Sequence, residues 1–244
     1  MLALFSCDFN LPFGNGGNNG DNGNDHGDSL SAYRQMYASS VPTKSVTTIT
    51  EAYDKNTLTS VHTLTTGQID GKVVTVLDST VQTLNNISLE DATSLNLKPI
   101  NEKKTSQWYY EGKGITYNKG KTWDASGVDF APNAGSITIN LDESNFKQVT
   151  YTKDTEAGVE TLVLEVEAEK MDSVLANFMY EGQTFGYDSV ITIIAAGGRI
   201  SSIIIEYTIE EYTIGEMETE IEIREIDMSI RVDYAYDLQE ITLG

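Results

Sequence analysis

Cysteine, histidine and proline are scarce in this sequence, which has one cysteine, two histidines and four prolines among 244 residues. A single cysteine excludes an internal disulfide. The two histidines, His26 and His62, have no cysteine or histidine neighbours at ligand spacing, which excludes the common zinc patterns. No apolar run approaches the roughly 18 residues that a membrane-spanning helix needs, so the sequence predicts no such helix.

Basic residues are also few, with 16 Lys and Arg against 37 Asp and Glu and a net charge of −21. The excess is uneven, because the stretch from Asp154 to the end holds 21 acidic and 4 basic residues, a net charge of −17. Such a surface repels phosphate, so we predict no nucleic-acid partner. Two interpretations of the charge stay open: the solvated face of a sheet, or a surface that binds cations or a basic partner.

Motifs that carry catalysis are absent from the sequence as well. It contains no glycine-rich phosphate loop, no serine elbow and no histidine beside a serine or cysteine at a catalytic spacing. Glutamates at two-residue spacing are typical of a wet strand face rather than of an acid–base pair. We therefore predict that the protein is not an enzyme and has no catalytic residue, no metal site and no cofactor.

The strongest positive signal is the run of alternating residues from Tyr187 to Leu243. Two β-branched runs flank the pair Gly197-Gly198, and a Gly-Gly pair in that position predicts a hairpin. In the second run every other residue from Ile203 to Ile209 is apolar. A period of two predicts antiparallel strands with one buried face.

This alternation changes phase near Arg224. Ile221 and Ile223 belong to one apolar set, whereas the next set begins at Ile226. A slip of one residue moves every later side chain to the other face of a strand. We therefore predict a bulge or a sharp bend at Arg224-Glu225.

Further elements are predicted before this run. The strands span 44–52, 56–66, 72–84, two hairpins within 107–123, 148–153 and 159–168. A short helix is predicted over 29–37 and a longer one over 168–180. The longer helix has one apolar face, formed by Met171, Val174, Leu175 and Phe178. The predicted fold is mostly β, of the α+β class: a single curled antiparallel sheet, or half-barrel, with one long and one or two short helices packed on its concave face.

The first 29 residues differ from the rest. Leu4-Phe5-Ser6-Cys7 resembles a bacterial lipobox, whose cysteine thiol receives diacylglycerol, and we interpret residues 1–7 as a truncated signal remnant. Residues 8–29, mostly Gly, Asn and Asp, predict a disordered tether, and 30–244 a single half-barrel domain. The alternatives are an incidental free cysteine at position 7 and calcium binding by Asp21, Asp25 and Asp28, although the order of an EF-hand is missing.

The largest apolar side chains of the middle of the chain are concentrated between 107 and 123. They are Trp108, Tyr110, Tyr117 and Trp123. One interpretation is an aromatic-walled pocket for a lipid or a glycan, and the other is ordinary core and cross-strand packing. Under the first, the predicted ligand-binding residues are these four together with Met171, Leu175 and Phe178 of the long helix.

The order of elements resembles a known family. Cys7, a polar tether, a short helix and Thr-rich strands precede Tyr-Tyr-x-Gly-Lys…Gly-Lys-x-Trp at 109–123, a strand and helix at 159–180, and a Gly-Gly hairpin at 190–207. Over 30–244 this order resembles the small bacterial surface lipoproteins that share the LolA/LolB and LppX/LprG half-barrel. The resemblance implies lipid carriage, and Cys7 is the one functional position that it transfers.

Two functional hypotheses follow. In the first, the protein is a lipid-anchored extracytoplasmic binding protein that holds a lipid or other apolar ligand between sheet and helices. In the second, it is a non-enzymatic surface interaction or structural module with an acidic face and no ligand cavity. Both place the protein at the cell surface or otherwise outside the cytoplasm, attached to the membrane through a lipid on Cys7, and we expect a monomer.

Overall fold

The structure is a computed structural model that describes residues 26–39, 41–69, 72–85, 87–97, 101–110, 113–118, 122–129, 139–175, 183–214, 221–237 and 241. This part of the chain has three α-helices, α1 (His26–Ser39), α2 (Leu89–Ser94) and α3 (Met171–Val174), and two 3₁₀ turns, Glu143–Asn145 and Ala168–Lys170. Its twelve strands are β1 (Lys44–Tyr53), β2 (Asn56–Ile69), β3 (Lys72–Leu84), β4 (Asn101–Tyr110), β5 (Lys113–Asn118), β6 (Thr122–Asp129), β7 (Gln148–Asp154), β8 (Val159–Val166), β9 (Gln183–Phe185), β10 (Ser189–Ala196), β11 (Arg199–Ile214) and β12 (Ile221–Ala235).

All twelve described strands belong to one antiparallel sheet, in the order β6-β5-β4-β3-β2-β1-β12-β11-β10-β8-β7, with β9 also paired to β11. The first and the last strand meet in its middle, where Lys44 pairs with Ala235 and Ala52 with Asp227. We call β1–β6 the N-terminal wing and β7–β12 the C-terminal wing. The sheet curls without closing, so the predicted fold class, a mostly β antiparallel half-barrel with few helices, is confirmed.

The helix α1 is the longest of those described. It begins at His26, before the predicted start at Ser29, and packs against β7 and β11 with Leu30 and Tyr33 buried. Arg34 donates from Nε to the carbonyl oxygen of Leu141 (2.9 Å), which ties the helix to the segment before β7. We call the face of the sheet beneath α1 the inner face and the opposite face the outer face.

The helix predicted over 168–180 is much shorter in the structure. A 3₁₀ turn leads into α3, which ends at Val174, and Leu175 is no longer helical (φ −113°, ψ 86°). Leu175 forms an isolated bridge with Ile139, and the carbonyl oxygen of Val174 accepts from the Asn140 N–H (2.9 Å). The helix stops because the groups that would extend it bond to residues 139–140. Among the described residues the long helix is therefore α1; residues 176–180 of the predicted helix lie outside them.

The bulge predicted at Arg224-Glu225 is wrong, because β12 pairs with β11 from Ile221 to Asp233 without a register shift. Only residues from Asp227 onward have β1 as a second neighbour. Before Asp227, β12 pairs with β11 alone, so its inner-face side chains need not all be apolar there. Strict alternation leaves Ile223 on the outer face, 58% exposed.

The core covers the inner face of the C-terminal wing. Strand register aligns one buried residue from each of five strands in a row: Val149, Leu164, Ile191, Ile205 and Ile230. Fully burying an aliphatic side chain contributes about 1.5–3 kcal/mol. This layer, capped by α1 and α3, therefore stabilises the C-terminal wing and fixes its strands in place.

Candidate ligand-binding site

The rows of the core continue across β1 into the N-terminal wing, where their chemistry changes. The row of Leu162, Ile193, Ile203 and Val232 continues in register as Thr47, His62, Ser79 and Thr105. Residues directly opposite one another in antiparallel strands have Cβ atoms about 4.5–5.5 Å apart. The four polar side chains therefore form a continuous line on the inner face, which we call the polar row.

His62 is the central group of the polar row. Its Nδ1 lies 2.9 Å from the Oγ of Ser79, within hydrogen-bonding distance. Burial lowers the pKa of His62 below its ordinary value, so the ring is neutral near pH 7. Because Nδ1 is bonded to Ser79, Nε2 is the second nitrogen of the neutral ring that can form a hydrogen bond.

Apolar residues border the polar row on both sides. On one side Leu64 pairs with Leu77, and Tyr109 follows one row further; Leu77 and Tyr109 are each 7% exposed. On the other side lie Ile49 and Val81, both half-buried. Polar residues share both of these rows, so the surface combines apolar side chains with polar groups, as ligand sites do.

Charge is sparse around the polar row. Among the described inner-face residues of β1–β4, the charged ones are Glu51 and Lys103. Residues 41–129 contain 9 lysines and 10 Asp and Glu, a net charge of −1, whereas residues 139–244 contain 6 basic and 23 acidic residues, a net charge of −17. The candidate site therefore lies in the nearly neutral half of an acidic protein.

The predicted ligand-binding residues are divided between the two faces of the sheet. Met171 and Leu175 are buried in the core of the C-terminal wing. Trp108 is half-buried on the outer face of β4, and its Nε1 donates to the Oγ of Ser106 (3.1 Å). Because successive strand residues alternate between faces, Tyr109 lies on the inner face and Trp108 does not. The structure therefore does not bring Trp108 together with Met171 and Leu175.

Other predicted positions lie at or beyond the limits of the described chain. The ladder pairs Trp108 with Ile115 and Tyr117 with Trp123. Outside the described part are the side chains of Tyr110, Tyr117, Trp123 and Asp28, and the whole of Cys7, Asp21, Asp25 and Phe178. The ligand and lipidation assignments made for these residues stay predictions, and calcium binding stays the alternative to a tether.

The polar row was missed in the sequence because none of its members lies in a recognisable motif. Its existence depends on register across three strand pairs, which the local pattern of one strand does not contain. One signal was available: the two-residue turn Asp54-Lys55 fixes the register of β1 with β2 and places His62 opposite Thr47.

A second candidate surface lies on the outer face of the C-terminal wing. Tyr187 and Ile223 are 53% and 58% exposed there. The Tyr187 hydroxyl donates to Glu225 Oε1 (2.8 Å), and this hydrogen bond raises the pKa of Tyr187. With Asp227 and its neighbours, these residues form an acidic surface that includes exposed aromatic and aliphatic groups.

Two kinds of feature, groups of metal ligands and membrane-spanning helices, were sought in the described residues. No group of three or more His, Cys, Asp or Glu side chains is placed there to hold a metal ion. None of the described helices has the length and apolar character that crossing a membrane requires.

Comparison with known proteins does not assign the chain to a family. No family model matches it, and no curated protein matches it. A solved structure of an N-terminal dehydratase from the difficidin assembly line is similar over 86% of this chain and 84% of that one, at 9% identity and a TM-score of 0.14. A similarity this low supports no statement about fold or function.

Proposed function

We propose that the protein is a lipid-anchored extracytoplasmic binding protein, without catalytic activity, that holds a lipid or other apolar ligand on the inner face of the N-terminal wing. One observation carries this proposal. Beneath α1 the inner face is filled by side chains with no exposed surface, such as Leu162 and Ile203. On the same face of the N-terminal wing, Leu58, Leu64 and Val81 are only half-buried. Apolar surface that is bordered by polar groups is typical of a binding site.

The anchor is part of the same proposal. A lipid on Cys7 attaches the chain to the membrane at the cell surface, through the Gly-, Asn- and Asp-rich segment that precedes α1. The proposed partners are thus the membrane and an apolar ligand, with no nucleic acid, and the protein acts as a monomer. Mass spectrometry of protein recovered from membranes tests the anchor: we expect a diacylglycerol adduct on Cys7, and an unmodified thiol contradicts it.

Native mass spectrometry of the purified chain tests the ligand. We expect a discrete added mass of lipid size that is lost on denaturation and recovered by organic extraction. Leu64→Glu should abolish it, because burying an unpaired carboxylate against hydrocarbon is strongly unfavourable. Thr63→Glu is the matched control and should retain it, because Thr63 is the neighbouring residue of β2 and lies on the outer face.

Two results would contradict the ligand proposal. One is a wild-type chain that carries no added mass even after incubation with a bacterial lipid extract. The other is equal loss of the adduct in both variants when their urea unfolding midpoints match that of the wild type.

The exposed Tyr187 and Ile223 favour a second candidate, a non-enzymatic surface interaction module whose acidic outer face binds a basic partner. Titration with a lysine-rich peptide tests it. Binding that is weakened both by salt and by Ile223→Ser would support this candidate. Binding that depends on salt alone would reject it, since any acidic surface attracts such a peptide.

A further inference from the structure

The polar row offers side-chain hydrogen-bonding groups on the inner face. The strands β2 and β3 have ladders on both sides, whereas the far side of β4 is paired with β5 only from Trp108 to Tyr110. Thr47 is 1% exposed, whereas His62 and Ser79 are half-buried and Thr105 is exposed. A ligand therefore has three polar side chains within reach, aligned across three adjacent strands.

Lys103 adds a positive charge beside this line. It is exposed and shares a face of β4 with Thr105, about 6–7 Å away along the strand. The next residue, Lys104, lies on the outer face and pairs with Glu102 (2.6 Å). Glu51, the other charged inner-face residue described on β1–β4, is four residues from Thr47 along β1, or about 13 Å. An anion at Thr105 and Ser79 is therefore closer to a cation than to a carboxylate.

We propose that the ligand is a single-chain anionic amphiphile, a long-chain carboxylate, whose head group binds the polar row beside Lys103 and whose hydrocarbon chain lies over the half-buried Leu64. This inference rests on the proposed function and specifies the ligand of the same site. A carboxylate accepts several hydrogen bonds at once and forms its strongest ones with charged donors. Leu64, next to the polar row, is half-buried and supplies apolar surface for the chain, whereas its cross-strand partner Leu77 is 7% exposed.

The same arrangement predicts a pH-dependent affinity. His62 faces Thr47 on β1 and Ser79 on β3, which do not titrate, and the charged groups described on the same face of β1–β4 are Glu51 and Lys103. An anion beside His62 favours the protonated ring. Affinity for the carboxylate should therefore increase as the pH falls from about 7.5 to 5.5, and His62→Gln should remove the increase.

Calorimetric titration of the full chain with decanoate, decanol and decyltrimethylammonium tests the head group, with the two charged compounds kept below their micelle concentrations and decanol below its solubility limit. Near pH 6 we expect decanoate to bind about tenfold more tightly than decanol and the ammonium compound to bind most weakly. Lys103→Gln should weaken decanoate binding about three- to tenfold and leave decanol binding unchanged. Lys104→Gln removes the same charge from the opposite face and should change neither.

The outcomes separate this inference from the proposed function. If decanoate and decanol bind equally, or if Lys103→Gln and Lys104→Gln have the same effect, the carboxylate inference is overturned while an apolar-ligand function stands. If none of the three probes binds the wild-type chain, both are overturned. Urea unfolding of each variant shows whether a loss of binding reflects the site or the fold.

Discussion

Leu162, Ile193, Ile203 and Val232 in the C-terminal wing, and Thr47, His62, Ser79 and Thr105 in the N-terminal wing, are two halves of one line across the same sheet. The first four are 0–1% exposed beneath α1 and α3. In the second four, hydroxyl and imidazole groups replace the aliphatic side chains, although the strands remain hydrogen-bonded in the same way. The backbone ladder is therefore shared by the two wings, while the apolar layer is not.

This difference shows how one sheet can combine stability with an accessible surface. The C-terminal wing also carries most of the charge, a net −17 for residues 139–244 against −1 for residues 41–129. Its buried layer must offset the mutual repulsion of those carboxylates. The N-terminal wing lacks that charge, its inner face is only partly buried, and its strands extend from the packed half through the pairing of β1 with β12.

Truncating one inner-face residue in each wing should give the largest contrast. Ile205→Ala removes a side chain with no exposed surface and should lower the free energy of unfolding by about 3 kcal/mol. Leu64→Ala removes a half-buried side chain from the N-terminal wing and should lower it by about 1 kcal/mol. Urea unfolding followed by circular dichroism measures both, and equal losses would show that the wings are equally packed.

Each wing also has a two-residue hairpin, and the two turns should respond differently. Gly197 has φ +60°, and a Cβ added there would meet nothing within 4 Å, so Gly197→Ala should cost about 1 kcal/mol through backbone strain alone. Asp54, in the β1–β2 turn, already adopts φ 52° with a side chain. Asp54→Gly should therefore change the free energy of unfolding by less than about 0.5 kcal/mol. Thermal unfolding compares the two, and a larger loss for Asp54→Gly would contradict this account.

Two tyrosine hydroxyls test whether polar groups are tolerated next to the packed layer. The Tyr236 hydroxyl donates to the carbonyl oxygen of Ile200 (2.7 Å), so Tyr236→Phe should cost about 1 kcal/mol. The Tyr33 hydroxyl is buried and has no hydrogen-bond partner among the described residues. Tyr33→Phe should therefore be neutral or slightly stabilising. A loss in Tyr33→Phe as large as that in Tyr236→Phe, measured by urea unfolding, would indicate that the Tyr33 hydroxyl is bonded.

The smallest expected effect is the pH dependence of stability that His62 contributes. Because burial lowers the pKa of His62, the unfolded chain binds this proton more readily than the folded one. The contribution is complete above the unfolded pKa of about 6.5 and is lost as the pH falls through the lower folded value. In His62→Gln the urea unfolding midpoint should change less with pH between about pH 5 and 6.5 than it does in the wild type. The same dependence of the midpoint on pH in both proteins would contradict the burial effect.

At still lower pH, further losses of stability come from the protonation of carboxylates. Hydrogen bonds from Ser144 lower the pKa of Asp142, and a hydrogen bond from Lys153 lowers that of Glu160. Carboxylates with lowered pKa values stabilise the fold above their unfolded pKa and lose that contribution as they are protonated. These losses of stability occur at lower pH than the one caused by His62, and they should be unchanged in His62→Gln.

Alternation within single strands was enough to predict the buried face of the C-terminal wing. Ile203, Ile205, Tyr207 and Ile209 are all in the core, because period two is a property of each strand by itself. The predicted strands of the N-terminal wing also correspond to β1, β2 and β3, which are joined or bounded by short turns. Fold class could thus be predicted from local pattern.

Features that depend on pairing between distant segments could not be predicted in this way. The helix over 168–180 stops early because Asn140 bonds to Val174, a contact that no helical periodicity contains. The phase change near Arg224 indicated a bulge, yet it marks the place where β12 loses β1 as a neighbour. The same limit applies to the candidate site, since the polar row exists only after four strands are aligned.

The seam between β1 and β12 also has a consequence for the order of events during synthesis. Hairpins such as β1–β2 and β2–β3 close short loops and can form as soon as both strands have left the ribosome. The seam joins Lys44 to Ala235, so it must wait for nearly the whole of the described chain, and contacts of such long sequence separation form slowly. Until then a nascent chain presents β1 as an unpaired edge strand, to which other chains can add. The pairing of β12, the last of the described strands, therefore closes this site of misassembly.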